Sequence, residues 1–349
     1  EMCIRDRLNA ETEIADKKAL VKYSMESGAA ELRDIPVPEP GAGEVLLRIE
    51  ACAVCGSDLA MYRGTFDHPM QIPVVMGHEF AGTVDRVGHA VTGWEPGDRV
   101  ACETAAQICG NCVYCRSGNY NMCPERMGFG YGCDGAFAEY VAVPARLLHH
   151  LPADLPFPQA ALTEPAAGAL HCVQQNHTLQ AGDSVLILGP GAIWLFALQH
   201  VRNAGCNPIF IAGLNRDSTR LDLALKLGAH RAIYLEREDA REIIHASGDG
   251  LGVHYIVEAS GAPEALDLAL DVIRPLGSIT RIGMSDKPLP FGLNRLTAKA
   301  VNLQGSWSHN YAHWERVLHL VETGQLQMEP LIGKIYPLED WQQAFEDAM

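Results

Sequence analysis

Three side chains of metal-binding type occur in two short segments of the N-terminal third of the chain. Cys55 opens the run Cys55-Gly56-Ser57-Asp58, and His78 and Glu79 directly follow Gly77. A thiol, an imidazole and a carboxylate delivered by separate segments are typical of a catalytic zinc site, whereas a structural zinc site usually takes its ligands from closely spaced residues. The sequence therefore predicts a catalytic zinc site at Cys55, His78 and Glu79.

The roles of Glu79 and Ser57 depend on geometry that the sequence does not contain. Adjacent side chains on an extended strand point to opposite faces. Glu79 could therefore bind the metal directly or orient His78 by a hydrogen bond. Ser57 carries a hydroxyl two residues after Cys55 and could reach an alcohol held at the metal. A lone cysteine is more often a buried core residue, so the prediction depends on the combination.

A second set of thiols is closely spaced and consists of Cys109, Cys112, Cys115 and Cys123. Four thiols at such spacing can close a tetrahedral structural zinc site. Gly110, Gly118 and Pro124 supply the turns that such a loop needs. The other cysteines have no comparable neighbours, and we interpret them as structural thiols.

A glycine turn lies between a predicted strand and a predicted helix, and it reads Gly189-Pro190-Gly191-Ala192-Ile193. Such a turn lets backbone N–H groups approach the pyrophosphate of a dinucleotide at the helix N-terminus. Trp194 occupies the position of the third glycine, which normally allows close packing of helix on strand. The Trp194 indole must displace neighbouring groups between the helix and the strand.

The chain shows two successive patterns of predicted secondary structure. Up to about residue 165, short β-branched runs alternate with Pro and Gly turns, which predicts a β-rich unit. From about residue 166 to 303, strands and helices alternate, which indicates βαβ units and a doubly wound parallel sheet. We expect a helix over 311–323, a strand near 335 and a last helix over 338–348. The predicted fold class is α/β.

Composition excludes several classes of protein. The chain has 349 residues, 48% of them hydrophobic, and a net charge of −16, which argues against binding nucleic acid or an anionic membrane surface. Eleven cysteines, an odd number, do not resemble a secreted disulfide framework, and no apolar run is long enough to cross a bilayer. We expect a cytoplasmic protein. Residues 1–17 are interpreted as a leader that is disordered or non-native, and the final helix as truncated.

Together these features resemble the zinc-dependent medium-chain alcohol dehydrogenases, in the branch of sorbitol (polyol) and threonine dehydrogenases. The resemblance runs from about residue 18 to the end and depends on the two zinc motifs, the glycine turn, Glu164-Pro165 and the run Val257-Glu258-Ala259-Ser260-Gly261. It implies a GroES-like catalytic domain over 18–165, with a structural zinc lobe at about 102–124, that residues 304–349 complete. It implies a Rossmann NAD(P)-binding domain over 166–303, a site in the cleft between the domains, and a homo-oligomer, either dimer or tetramer.

The resemblance also implies roles for single residues near the metal. Cys55, His78, Glu79 and Glu164 would surround the catalytic zinc, with one of the glutamates bound directly or through water. Glu164 equally suits the first turn of a helix, where a carboxylate complements the helix dipole. Zinc lowers the pKa of an alcohol and so eases hydride transfer.

Proton transfer would begin at Ser57 and continue to the cofactor ribose. The family has a histidine two residues after Asp58, and this chain has Ala60 there. Water, Tyr62 or another group must then release the proton. Tyr62 could equally be a partly buried aromatic residue whose hydroxyl needs a partner for structural reasons.

For the cofactor, the resemblance assigns Ala259 and Ser260 together with the glycine turn. The strand that should end in an acid for the ribose of NAD ends in Gly213. Arg216 and Arg220 follow, and they would admit the 2′-phosphate of NADP or are simply solvated. Both NAD and NADP remain open.

The predicted function is zinc-dependent hydride transfer between a small-molecule secondary alcohol, such as a polyol or sugar alcohol, and NAD(P). One alternative is an enzyme like L-threonine 3-dehydrogenase. Another, of a different class, is a catalytically impaired zinc-binding homologue that acts as a scaffold, because Trp194 and Ala60 each replace a functional residue.

Overall fold

The chain divides into two compact units. The computed structural model describes residues 3–4, 16–175, 177–189, 191–285, 288–289 and 292–349. The first unit is Glu1–Glu164 together with Asn310–Met349, and the second is Pro165–His309. Most of the predicted leader, residues 1–2 and 5–15, lies outside the described residues, whereas Cys3–Ile4 form a strand and Lys17 begins the next one.

The elements are numbered in chain order. The strands are β1 (Cys3–Ile4), β2 (Lys17–Lys22), β3 (Ala30–Ile35), β4 (Glu44–Ala53), β5 (Val74–Val75), β6 (Glu79–Val87), β7 (Arg99–Cys102), β8 (Tyr140–Pro144), β9 (Leu148–His150), β10 (Val185–Leu188), β11 (Ile209–Gly213), β12 (Arg231–Tyr234), β13 (Val253–Glu258), β14 (Ile273–Arg281), β15 (Asn302–Gly305) and β16 (Ile335–Tyr336). The helices are α1 (Gly56–Arg63), α2 (Val113–Arg116), α3 (Phe157–Ala161), α4 (Thr163–Gln174), α5 (Ala192–Asn203), α6 (Ser218–Lys226), α7 (Ala240–His245), α8 (Pro263–Val272), α9 (Leu293–Lys299), α10 (Tyr311–Glu322) and α11 (Trp341–Ala348). Short 3₁₀ turns cover Tyr120–Met122, Ala145–Leu147, Asn215–Asp217, Glu329–Leu331 and Leu338–Asp340.

Antiparallel pairing dominates the first unit. Its larger sheet has the order β16-β1-β4-β6-β7-β9, with β8 also paired to β4, and a smaller sheet has the order β3-β2-β5. Val45, Leu47 and Ile49 on one face of β4 lie in the core. Trp341 and Phe345 of α11 join the same core. Segments distant in sequence therefore build one hydrophobic interior.

Parallel pairing dominates the second unit. Its sheet has the order β12-β11-β10-β13-β14-β15, and all neighbouring strands are parallel. Every residue of β10 is buried, as expected when both faces of a parallel sheet are covered. The strand order reverses beside β10, and such a switch point leaves a crevice at the carboxyl ends of the strands. The predicted α/β class with a doubly wound sheet is confirmed.

Helix α1 was absent from the sequence prediction, which treated its region as β-rich. Its buried residues are Asp58, Leu59 and Met61, so a charged side chain takes one of the inward positions. The apolar periodicity that identifies an amphipathic helix is therefore missing. Among the described residues, no helix combines the length and the apolar character needed to span a bilayer.

His200 of α5 makes the stability of the second unit depend on pH. It is 4% exposed, Nε2 lies 3.1 Å from the carbonyl oxygen of Ala166, and burial lowers its pKa from 6.5 to about 4. As the pH falls, the unfolded chain takes up a proton at His200 before the folded protein does. The contribution of His200 to the free energy of unfolding is therefore fully present above pH 6.5 and declines towards pH 4. We expect titration of this group to lower the free energy of unfolding by on the order of 3 kcal/mol between pH 7 and pH 4.

Urea unfolding of the wild type and of His200→Gln at both pH values measures this contribution. The variant should lack it, so the stability difference between the two proteins should shrink or reverse at pH 4. An equal loss of stability in both proteins would show that another group is responsible.

Candidate functional site

Three predicted metal ligands converge in the first unit. The ligand atoms of Cys55, His78 and Glu79 all lie within 4.8 Å of one another. His78 is 9% exposed and Glu79 is 1% exposed, while Cys55 is partly buried at the start of α1. A thiol, an imidazole and a carboxylate at this spacing could share one metal ion.

The backbone at Gly77 explains how two adjacent residues reach the same site. His78 lies in an irregular segment between β5 and β6, and Glu79 is the first residue of β6, so strand alternation does not govern this pair. Gly77 has a φ of +90°, which favours glycine, and a Cβ there would lie 2.7 Å from the backbone nitrogen of Phe137. The turn at Gly77 thus brings the side chains of His78 and Glu79 to one point. The sequence alone did not decide whether both could reach it.

Asp58 contacts two of these ligands, a role that the sequence analysis missed. Its side chain is fully buried, Oδ2 accepts a hydrogen bond from the Cys55 N–H at 2.9 Å, and Oδ1 lies 3.5 Å from His78 Nδ1. A carboxylate beside Nδ1 favours a proton on that nitrogen and leaves the Nε2 lone pair for a metal. The spacing of Cys55 and Asp58 across the first turn of a helix resembles a capping box, and this signal could have revealed the role.

Ser57 lies beside the second ring nitrogen of His78. Its Oγ is 3.2 Å from His78 Nε2, whereas Asp58 lies beside Nδ1. A hydroxyl at this place can donate or accept a hydrogen bond, which suits a group that passes a proton. Its part in proton transfer stays a prediction.

The surroundings of these ligands are strongly negative. Burial lowers the pKa of His78, but the carboxylates of Asp58, Glu164 and Glu79 outweigh it and raise that pKa to about 10. Burial, together with the charges of Asp58 and Glu164, raises the pKa of Cys55 to about 12. A bound cation relieves both effects, because it stabilises the thiolate and replaces the proton on the imidazole. The donor set therefore fits a divalent ion such as Zn²⁺.

Glu164 and Tyr62 occupy different positions from the three converging ligands. Glu164 is the second residue of α4 and acts on Cys55 and His78 through its charge, but it is not part of the three-residue cluster among the described residues. Its place in the first helical turn also complements the helix dipole, so both explanations still apply. The Tyr62 ring packs edge-on against Trp341 and Phe345 of α11, with centroid distances of 5.7 and 5.6 Å. Its role in proton release stays a prediction.

The four closely spaced cysteines also converge. The Sγ atoms of Cys109, Cys112, Cys115 and Cys123 lie within 4.8 Å of one another. Cys109 Sγ is 3.9 Å from Cys115 Sγ and 3.6 Å from Cys123 Sγ. Four sulfur atoms that each lie about 2.3 Å from a tetrahedral zinc ion are about 3.8 Å apart. The observed spacing therefore fits a structural zinc site.

Backbone amides prepare these sulfur atoms for a metal. The N–H of Cys112 donates to Cys109 Sγ at 3.3 Å, and the N–H of Cys115 donates to Cys112 Sγ at 3.4 Å. Backbone donors at Asn111 and Cys112 lower the pKa of Cys109 to about 7, whereas burial raises that of Cys115 to about 12. A cation at the centre of the cluster would favour the thiolate form of Cys115 despite this raised pKa.

The glycine turn lies at the carboxyl end of β10 in the second unit. Gly191 precedes α5, whose first residues are Ala192 and Ile193, and Pro190 lies outside the described residues. Gly189 has a φ of +124°, and a Cβ there would lie 2.7 Å from the backbone nitrogen of Ser260. The N–H groups of the first turn of α5 are the donors that a pyrophosphate requires.

Trp194 is accommodated inside the second unit. Its side chain is fully buried, and Nε1 donates to the carbonyl oxygen of Ile187 in β10 at 3.4 Å. The indole thus fills the space between α5 and β10, where a third glycine would allow closer packing. The first turn of α5 nevertheless stays beside the glycine turn.

The predicted cofactor residues Ala259 and Ser260 follow β13 directly. The Ser260 N–H and hydroxyl donate to Glu258 Oε1 at 2.8 and 2.6 Å, and the Gly261 N–H donates to the same oxygen at 2.8 Å. Glu258 is fully buried, and its other oxygen lies 3.0 Å from Arg281 Nε. Glu258 therefore shapes this loop, a role that its place within the family-like motif did not reveal.

The three remaining residues that are predicted to bind the cofactor lie at and after the end of β11. Gly213 is the last residue of that strand, Arg216 lies in the following 3₁₀ turn, and Arg220 lies in α6. Both arginines are exposed, and neither forms an ion pair within the part of the chain that the structure describes. They are placed near the expected ribose position but are not held there by a partner.

Comparisons with known proteins find similar proteins over most of the chain. The alcohol dehydrogenase GroES-like domain matches residues 41–153, and the zinc-binding dehydrogenase family matches residues 192–323. The chain is 36% identical to a sorbitol dehydrogenase of Halalkalibacterium halodurans over 94% of this chain and 95% of the relative. It is 35% identical to an L-threonine 3-dehydrogenase of Bacillus velezensis over 94% of each chain. A crystal structure of a zinc-binding dehydrogenase from Sinorhizobium meliloti bound to NADP is 29% identical, with a TM-score of 0.87 over 95% of each chain.

Proposed function

Because the chain belongs to the zinc-dependent medium-chain alcohol dehydrogenases, we propose that it transfers a hydride between a secondary alcohol of the polyol type and NAD(P). The observation that carries this proposal is the convergence of Cys55, His78 and Glu79 within 4.8 Å. A scaffold that no longer turns over would not need a thiol, an imidazole and a carboxylate at one point.

The residues of this chain supply binding and proton transfer. Cys55, His78 and Glu79 would hold a zinc ion that would acidify the hydroxyl of the alcohol, and the second unit would hold the NAD(P) that would take up the hydride. Asp58 keeps the proton of His78 on Nδ1 and aligns the ring. Ser57 Oγ, 3.2 Å from His78 Nε2, can accept the hydroxyl proton of the alcohol while it passes its own proton to water, since Ala60 provides no imidazole.

The cofactor would be held at the carboxyl edge of the parallel sheet. The first turn of α5 offers N–H groups to the pyrophosphate. The loop of Ala259 and Ser260, fixed by Glu258, lies against Gly189 at the switch point beside β10. We propose that the second unit is the cofactor-binding domain and that the first unit is the catalytic domain.

Threonine oxidation is the second candidate, and the Bacillus velezensis relative is the observation that favours it. The sorbitol dehydrogenase relative has slightly higher identity over a similar length, which supports the polyol proposal. The scaffold alternative has no comparable support, because both relatives are dehydrogenases by name.

We further propose a cytoplasmic homo-oligomer, either dimer or tetramer. The odd number of cysteines supports a reducing location, as does the absence of a disulfide among the ten cysteines from Cys52 to Cys206 whose side chains the structure describes. Strand β15 ends the sheet of the second unit and exposes Leu303, and such an edge is suited to pairing with another copy.

A substrate screen tests the proposed function. We expect zinc-loaded protein to oxidise polyols such as sorbitol, xylitol and arabitol, and to act on threonine at least about tenfold less efficiently by kcat/KM. The measurement is the formation of NADH or NADPH at 340 nm. A preference for threonine would replace the polyol proposal with the second candidate. Cofactor binding without turnover of any alcohol, despite full zinc loading, would overturn the proposed function.

A further inference from the structure

The turn after β11 is surrounded by carboxylates although the strand itself ends in glycine. We propose that this chain selects NAD over NADP, and that Asp217 and Glu236 together make this selection. The inference rests on the proposed function, since it concerns the cofactor of that reaction. Rossmann domains usually bind the adenosine ribose at this place, with an acid for NAD or an arginine for the 2′-phosphate of NADP.

Asp217 returns to the end of the strand that lacks an acid. A Cβ placed on Gly213 would lie only 3.3 Å from Asp217 Oδ2. The same oxygen accepts a hydrogen bond from the Leu214 N–H at 2.9 Å, and Asp217 is 5% exposed. A carboxylate four residues later in sequence therefore occupies the space that an acidic side chain at position 213 would fill.

Glu236 approaches the same turn from the neighbouring strand. It follows β12, whose end is held beside β11 by a hydrogen bond from the Leu235 N–H to the Gly213 carbonyl at 3.0 Å. Glu236 Oε2 accepts a hydrogen bond from the Asn215 N–H at 2.6 Å, and the side chain reaches solvent. The turn thus has a second carboxylate, brought by β12 rather than by the local sequence.

These contacts disfavour a phosphate and suit a ribose. The N–H groups of Leu214 and Asn215, which could otherwise bind a phosphate oxygen, already donate to carboxylates. Carboxylates accept hydrogen bonds from ribose hydroxyls but repel a phosphate dianion. The side chains of Arg216 and Arg220 are exposed to solvent, which screens their charges, so they offset little of this repulsion.

Fluorescence titration of the zinc-loaded protein with NADH and NADPH tests the inference. We expect NADH to bind at least about tenfold more tightly than NADPH. Glu236→Gln and Asp217→Asn retain an oxygen that can accept the backbone hydrogen bond but lose the charge. Each variant should lower the ratio of the NADPH to the NADH dissociation constant by about threefold or more, mainly because NADPH binds more tightly.

Glu242→Gln is the matched control, because it removes one exposed carboxylate from α7 in the same unit. It should leave the ratio of the two dissociation constants unchanged. We expect that the arginines do not hold the phosphate. The double variant Arg216→Ala and Arg220→Ala should therefore change the dissociation constant of NADPH by less than about threefold.

Equal or tighter binding of NADPH by the wild type would overturn the inference but leave the proposed function intact. A preference for NADH that neither carboxylate variant narrows would also overturn it. Failure of both cofactors to bind would instead reject the proposed function itself. Since Glu236 is exposed, its variant remains informative even if Asp217→Asn lowers stability.

Discussion

Replacing Cys55 by serine is expected to lower kcat/KM for a polyol by about a thousandfold or more and to reduce the zinc content from about two ions per chain to about one. A hydroxyl is a far weaker zinc ligand than a thiolate. His78 and Glu79 would then remain as the only members of the three-residue cluster found among the described residues. Turnover should fall because the alcohol is no longer acidified.

Metal analysis and steady-state kinetics on the same preparation measure this effect. Cys133→Ser is the matched control, because Cys133 is a partly buried free thiol that belongs to neither metal cluster. The control should keep about two zinc ions and wild-type turnover. Wild-type activity in Cys55→Ser would mean that the metal site has been misassigned.

Replacing Cys123 by serine is expected to remove the other zinc ion and to destabilise the lobe by several kcal/mol, while the catalytic zinc stays bound. Cys123 is 6% exposed, and its Sγ accepts a hydrogen bond from the Cys109 N–H at 3.3 Å. Loss of this thiol opens the tetrahedral site. The short helix α2 should then fray, since it is only four residues long and has no buried residue.

Limited proteolysis locates this effect in the lobe. Trypsin should cleave after the exposed Arg116 in α2 faster in Cys123→Ser than in the wild type or in Cys133→Ser. The rest of the first unit should remain folded, since Tyr120 donates a hydrogen bond to the buried Glu103 at 2.6 Å and so anchors the end of the lobe independently of the thiols. Unchanged zinc content and cleavage would show that the four thiols do not hold a metal.

The alternating elements of the second unit could be predicted from sequence because their signals are local. Buried parallel strands read as continuous apolar runs, as in β10, and amphipathic helices separate them. Helix α1 could not be found in this way, because a carboxylate occupies one of its buried positions. That carboxylate is stabilised by Cys55 and His78, and His78 belongs to a distant segment.

The proposed metal ligands were accessible to sequence reasoning because zinc chemistry restricts residue types. The carboxylates around them were harder to recognise, because the only local signal was the capping-box spacing of Cys55 and Asp58. Asp58 and Glu258 act through contacts with His78 and Arg281, and Glu236 acts through the pairing of β12 with β11. Only the fold identifies such partners.

The sequence by itself determined the chemistry of this protein, since Cys55, His78 and the four lobe thiols restrict the metal and the glycine turn restricts the cofactor class. The tertiary structure alone decided how those groups are used. The turn at Gly77 directs His78 and Glu79 towards one point. Folding also brings Asp217 and Glu236 to the end of β11, where the strand itself ends in the uncharged Gly213. The physical reason is that ligand type is a property of single residues, whereas ligand orientation and local charge arise from segments that only folding brings together.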